Sequence, residues 1–154
     1  MTDTYTVSRS IEIAAPPARI YEKIADFHNW TQWSPWEDMD PAMERDYSGA
    51  AAGPGAAYSW TGNRQAGKGR MEIVSAEEPS DVTIDLAFEK PFKSRNEIHF
   101  QVEPAADGSR VTWTMVGPKT LGLRVMGIFK SMDQMIGPDF EKGLGRLKTV
   151  SEAS

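Results

Sequence analysis

Seven stretches of this chain alternate apolar and polar side chains with a period of two, and this repeat limits the folds open to it. The first stretch places Tyr5, Val7, Ile11 and Ile13 on one parity. Six more follow between residues 43 and 116, separated by turn sequences. Because successive side chains of a strand point to opposite faces, each stretch predicts a strand with one buried and one solvated face.

Two other parts of the chain have helical spacing instead. Apolar residues predict a short helix over about 17–27, which opens on prolines that a first helical turn tolerates. A second short helical turn is predicted over Trp30–Pro35. Near the C-terminus, an apolar stripe predicts a short helix near 121–131 and a longer one to about residue 150. Gly137-Pro138 should bend or restart the longer helix.

These elements predict an α+β fold in which the sheet curls around the C-terminal helix. A seven-stranded antiparallel sheet with one apolar face needs a cover, and the C-terminal stripe is the large apolar helical surface available. The two short helices follow strand 1, and a length of 154 residues predicts one domain over 1–154. A curled sheet and one helix leave a concave, mostly apolar space between them, of the kind that holds small molecules.

Composition excludes several classes of function. Seventeen Lys and Arg against 22 Asp and Glu give a formal charge of −5, which argues against a nucleic-acid binder. The chain has no cysteine and two histidines, so we expect no metal site and no cofactor. No apolar run approaches the length of a membrane span, and the polar start Met1-Thr2-Asp3-Thr4 is not a signal peptide. We therefore predict a cytoplasmic location.

Three sequence motifs resemble a known superfamily. They are the run Ile11–Pro17 followed by Ile20, Tyr21, Asp26, Trp30, Trp33 and Pro35, the pattern Gly67-x-Gly69-x-Met71-x-Ile73, and the closing helix Asp139–Leu144. Over roughly residues 5–150 the chain resembles the START-like superfamily, and within it the polyketide cyclase/dehydrase-like family of the SRPBCC group. The resemblance implies the helix-grip fold of birch-pollen-allergen-like proteins, with an internal hydrophobic cavity. It implies no universal catalytic residue, because the superfamily includes lipid carriers, cyclases and co-chaperone-like proteins.

Large aromatic and methionine side chains concentrate on the parity that faces the predicted helix, and they are candidate ligand contacts. The five Trp and eight Met of the chain contribute much of this set. The predicted ligand-binding residues are Trp36, Tyr58, Trp60, Met71, Phe88, Asn96, Phe100, Trp113, Met115 and Met132. Ordinary core packing is the alternative for most of them. Trp30 and Trp33 are interpreted as a plug that seats the short helices on the sheet, or alternatively as a wall at the cavity mouth.

A few polar side chains share the apolar parity. A polar group on that face costs roughly 1–3 kcal/mol unless it is hydrogen-bonded. Asn96, with Ser94 beside it, must therefore meet a water, a backbone group or a ligand, unless a strand end or a bulge turns it away. For Arg9 we predict a bulge at Ser8–Ser10 that turns the side chain outward. Otherwise Arg9 is a buried cation that needs a carboxylate or an anionic ligand.

The sequence favours a protein that binds a hydrophobic, lipid- or polyketide-like small molecule. An enzyme of the cyclase or dehydratase kind is the first alternative, but the inward polar candidates Arg9, Arg45, Ser94, Asn96 and Tyr58 include no obvious base. A co-chaperone-like interaction domain is the second alternative, and it predicts a filled core and an exposed apolar patch. A homodimer through an edge strand is left open by the sequence.

Overall fold

The computed structural model describes residues 4–35, 42–63, 67–90, 93–118 and 132–153. The strands are β1 (Thr4–Ile13), β2 (Glu44–Gly49), β3 (Ala56–Thr61), β4 (Lys68–Glu77), β5 (Asp81–Lys90), β6 (Ser94–Ala105) and β7 (Gly108–Pro118). They form one antiparallel sheet in the order β1-β7-β6-β5-β4-β3-β2. The first and last strands therefore pair, while β2 to β7 follow one another as hairpins. The predicted seven-stranded antiparallel sheet is confirmed.

Three helices are described. Helix α1 (Pro17–Ala25) and a short 3₁₀ helix (Phe27–Gln32) follow β1, and the long helix α2 (Met132–Ala153) closes the chain. The helix predicted near 121–131 lies outside the described residues. Of the bend or restart predicted at Gly137-Pro138, the restart is wrong, because α2 continues through Pro138, and the bend stays a prediction. Pro138 is the seventh residue of α2, inside the helix, so it lacks the N–H that would donate to the carbonyl four residues earlier.

Five aromatic rings pack together on the face of the sheet that the helices cover. Trp113 of β7 stacks on Phe140 of α2, with ring centroids 4.1 Å apart and an interplanar angle of 7°. Phe100, on the neighbouring strand β6, lies 4.9 Å from Trp113. Trp30 and Trp33 complete the set with centroids 4.6 Å apart, and both make edge-to-face contacts with Phe100 and Trp113. We call these five residues the aromatic core.

Trp30 and Trp33 also cap the C-terminal end of α1 by hydrogen bonding. The last carbonyls of a helix have no partner within it. The Trp30 indole N–H donates to the Ile24 carbonyl at 2.8 Å, and that of Trp33 donates to the Lys23 carbonyl at 3.0 Å. The side chain of Asn29 and the backbone N–H of Gly53 donate to the other two, Glu22 and Ala25. The structure thus places Trp30 and Trp33 in a plug between α1 and the sheet.

Candidate functional site

The aromatic core occupies one end of the concave sheet face, and a different set of side chains lies at the other end. The strand register places Trp60 opposite Gly69, Gly69 opposite Phe88, and Phe88 opposite Ser94, in one row across β3 to β6. Trp60 and Phe88 are only partly buried, and their rings meet edge to face at 5.8 Å. Tyr58 stacks on Trp60 at 6.1 Å. We call this row, with Tyr58, the open end of the sheet.

Gly69 lets the Trp60 ring lie flat across β4. A Cβ atom at Gly69 would lie 2.5 Å from Trp60 Cη2 and 2.7 Å from the carbonyl oxygen of Ala87. Because neither a strand carbonyl nor a ring packed against Phe88 moves freely, only glycine leaves room for this contact. Sequence reasoning assigned Gly69 to a family motif but missed this role.

Replacing Gly69 with alanine is expected to lower the free energy of unfolding by about 2 kcal/mol, the scale of an overpacked core position. The added methyl group must displace the Trp60 ring or the β5 backbone. Urea denaturation followed by circular dichroism measures the loss. Gly145→Ala is the matched control, because a Cβ there meets nothing within 4 Å and alanine favours a helix. If the two variants were equally stable, the packing of Trp60 on Gly69 would be contradicted.

A buried hydrogen-bond chain borders the open end. The Tyr5 hydroxyl donates to Asn96 Oδ1 at 2.6 Å, and Asn96 Nδ2 donates to Ser94 Oγ at 3.3 Å. Tyr5 and Asn96 are 8% and 5% exposed, whereas Ser94 is half-buried. Burial raises the pKa of the Tyr5 hydroxyl to about 12, so this group stays protonated at neutral pH. Asn96 does lie on the apolar face, and the polar partner it meets there is Tyr5, which sequence reasoning did not single out.

Arg9 shows an error of the sequence prediction. The pairing of β1 with β7 runs without a shift from Thr4 to Ile13, so there is no bulge at Ser8–Ser10. Arg9 keeps its inward parity and its guanidinium reaches α2, where Nε donates to Glu141 Oε2 at 2.9 Å. Gly137 leaves space for the guanidinium, since a Cβ atom at Gly137 would lie 2.1 Å from Arg9 Nη2. The alternative interpretation, a buried cation that needs a carboxylate, holds only in part: Arg9 has a carboxylate partner, but its side chain is 26% exposed and that of Glu141 is 62% exposed.

The candidate ligand-binding residues fall into separate groups. Phe100 and Trp113 are fully buried in the aromatic core. Met71 and Met115 are buried between the aromatic core and the open end, while Tyr58, Trp60, Phe88 and Asn96 lie at the open end or border it. Trp36, and the side chain of Met132, lie outside the described residues. That the open-end members contact a ligand remains a prediction.

A second concavity lies at the edge of the sheet. Phe27 and His28 of the 3₁₀ helix and residues 47–51 and 56–57 of the β2–β3 hairpin line a pocket of about 160 Å³. The His28 ring stacks on Tyr47 at 4.0 Å, and its Nδ1 lies 2.9 Å from Asp26 Oδ1. In the described ranges no three His, Asp or Glu side chains lie together as metal ligands. Nor does any helix of those ranges have the length and apolarity of a membrane span.

Comparison with known proteins identifies the fold. A family model described as polyketide cyclase/dehydrase and lipid transport matches residues 4–152. No curated protein matches the sequence. Several solved structures are similar, at 12–13% identity in the three cases given next.

A protein from Chromobacterium violaceum aligns with a TM-score of 0.68 and 13% identity, over 96% of this chain and 97% of that one. Ara h 8.0201 aligns with a TM-score of 0.67 and 13% identity, over 99% and 100%. The di-domain ARO/CYC BexL of the BE-7585A biosynthetic pathway aligns with a TM-score of 0.68 and 12% identity, over 98% and 51%. At such identities the likeness shows the fold alone, and the predicted helix-grip fold is confirmed.

Proposed function

This chain belongs to the polyketide cyclase/dehydrase and lipid transport family, and we propose that it binds a flat hydrophobic small molecule at the open end of its sheet. The open end consists of Tyr58, Trp60, Phe88 and Ser94, with Gly69 beneath the Trp60 ring. The family description and the ARO/CYC name of one structural neighbour support a ligand with aromatic or polyketide character. The match over residues 4–152 supports our proposal that 1–154 is a single domain.

The observation that carries the proposal is the contrast between the two ends of the concave face. In the aromatic core, Phe100 and Trp113 are sealed between the sheet and α2. At the open end, Trp60 and Phe88 are only partly buried. Binding sites are typically concave and apolar with a few placed polar groups, and the open end has this composition.

The two alternatives have less support. Cyclase or dehydratase chemistry needs a base within reach of the substrate, and the Tyr5–Asn96–Ser94 chain offers hydroxyls and an amide. The raised pKa of Tyr5 keeps that hydroxyl a donor. A protein-interaction domain needs an exposed apolar patch. In the described part of the chain, the exposed large apolar side chains are Val74 on β4 and Val116 on β7, which are separated by β5 and β6.

Titration with anilinonaphthalene sulfonate, a fluorescent dye whose aromatic rings bind apolar surfaces, tests the proposal. We expect the native protein to bind the probe and Phe88→Ser to weaken binding about five-fold or more, because the ring provides apolar contact area. Val116→Ser is the matched control, since it removes an exposed apolar side chain from the opposite face of the sheet. Its affinity should stay within about two-fold of the native value.

Folding of each variant is checked by near-ultraviolet circular dichroism, and Phe88→Leu serves as a second variant that keeps an apolar side chain. An unchanged affinity in folded Phe88→Ser, or no binding by the native protein, would remove the open end as the binding site.

A further inference from the structure

We propose that the ligand carries a carbonyl oxygen, and that the Ser94 hydroxyl donates a hydrogen bond to it at the end of the Tyr5–Asn96–Ser94 chain. This inference rests on the proposed function, because it names the chemistry of a ligand bound at the open end. It goes further by distinguishing a ketone- or quinone-like molecule from a plain aromatic or alkyl hydrocarbon.

The direction of the hydrogen bonds follows from their lengths. The separation of 2.6 Å between Tyr5 and Asn96 is typical of an O–H···O bond and short for N–H···O. The amide oxygen of Asn96 therefore faces Tyr5, and its nitrogen faces Ser94. Since Asn96 Nδ2 donates to Ser94 Oγ, the Ser94 hydroxyl hydrogen is directed elsewhere. Each group in the hydrogen-bond chain therefore donates to the next, from Tyr5 to Asn96 to Ser94, and the Ser94 hydroxyl is the last donor.

The position of Ser94 makes that donor available at the open end. Ser94 is the first residue of β6 and lies directly opposite Phe88, whose ring meets Trp60 at 5.8 Å. Tyr5 and Asn96 are buried, whereas Ser94 is half-buried. A flat molecule against the two rings would therefore have the Ser94 hydroxyl at its edge. Gly117 fixes the inner part of the chain, because a Cβ there would lie 1.9 Å from Asn96 Oδ1.

The chemistry of the chain selects an acceptor on the ligand. Asn96 uses its oxygen for Tyr5 and one N–H for Ser94, so it reinforces the Ser94 hydroxyl as a donor through the cooperativity of linked hydrogen bonds. A carbonyl oxygen accepts such a bond and has no hydrogen that would compete for the Ser94 oxygen. A hydrocarbon would leave the hydroxyl facing an apolar surface, which costs free energy when water is excluded.

The test compares two probes of nearly equal shape, acetylnaphthalene and isopropenylnaphthalene, in which a CH2 group replaces the carbonyl oxygen. Each displaces anilinonaphthalene sulfonate from the native protein and from Ser94→Ala. The measured quantity is the ratio of the two inhibition constants. We expect Ser94→Ala to shift this ratio about three- to ten-fold against the ketone, the size of one neutral hydrogen bond. Affinity for isopropenylnaphthalene should stay unchanged or rise.

Ser8→Ala is the matched control, because the Ser8 hydroxyl contacts Thr114 on the exposed face of the sheet. Ser94→Thr keeps a hydroxyl at the same place and should restore the ratio, which separates the hydrogen bond from a change in folding. If Ser94→Ala leaves the ratio unchanged while both probes still displace the dye, the carbonyl assignment is wrong and the proposed function stands. If the native protein does not bind the dye, the proposed function falls together with this inference. If the dye binds but neither probe displaces it, this inference alone is overturned.

Discussion

Replacing Trp113 with alanine is expected to lower the free energy of unfolding by about 3–5 kcal/mol, the range for truncating a buried aromatic residue. Trp113 has no exposed surface and stacks on Phe140 of α2 at 4.1 Å. Phe100, Trp30 and Trp33 pack around the same ring. The alanine variant therefore leaves a cavity at the contact that holds α2 on the sheet. Urea denaturation followed by far-ultraviolet circular dichroism measures the loss without depending on tryptophan fluorescence.

Trp60→Ala is the matched control, because it makes the same chemical change at a partly buried position. We expect Trp60→Ala to lower the free energy of unfolding by about 1–2 kcal/mol. This is less than for Trp113→Ala, because the Trp60 side chain buries less apolar area in the folded protein. The two variants should also differ in probe binding, which Trp60→Ala weakens and folded Trp113→Ala retains. A loss below about 1 kcal/mol for Trp113→Ala would contradict its place in the core.

The sheet was predictable because the side-chain period of a strand is two, so a slip of one residue would expose the whole apolar face. The same period places Trp60, Phe100 and Trp113 on one face of the sheet, but it does not indicate how far each side chain is buried. Their different burial depends on where α2 and the short helices cover the sheet, and that contact joins residues distant in sequence. The sequence could therefore predict that the aromatic candidates share one face of the sheet. It could not predict which of them lie in the aromatic core and which at the open end.

Arg9 shows why the polar exceptions were harder to predict. Its parity is inward, and a bulge is the local way to remove a cation from that face. In the structure, residues of α2 that are distant in sequence accommodate the cation instead: Gly137 leaves space for the guanidinium, and Glu141 provides a carboxylate. Asn96 is a similar case, since its partner Tyr5 is 91 residues away. One signal was available: Tyr5 is a residue with a polar group on the same inward parity, and such a group needs a partner when buried.

The stability of the protein is expected to fall between about pH 10 and pH 12 because of Tyr5, by about 2–3 kcal/mol for a shift of this size. Burial raises the pKa of its hydroxyl from 10.0 to about 12. In the unfolded chain, Tyr5 loses its proton near pH 10, whereas the folded protein holds it. The stabilisation is thus complete below pH 10, declines as the pH rises through the folded value, and is absent above it.

Tyr5→Phe isolates this contribution from those of the other tyrosines and the lysines. At neutral pH the variant is less stable, because it loses the hydrogen bond to Asn96 Oδ1 and leaves a buried acceptor. As the pH rises above 10, the native protein loses stability that Tyr5→Phe does not, so the difference between the two should narrow and then reverse. Free energies of unfolding from urea denaturation at a series of pH values give this difference, and tyrosinate absorbance follows the ionisation itself. A difference that stays constant to about pH 12 would show that Tyr5 ionises alike in both states, and that its hydroxyl is not held in the buried chain.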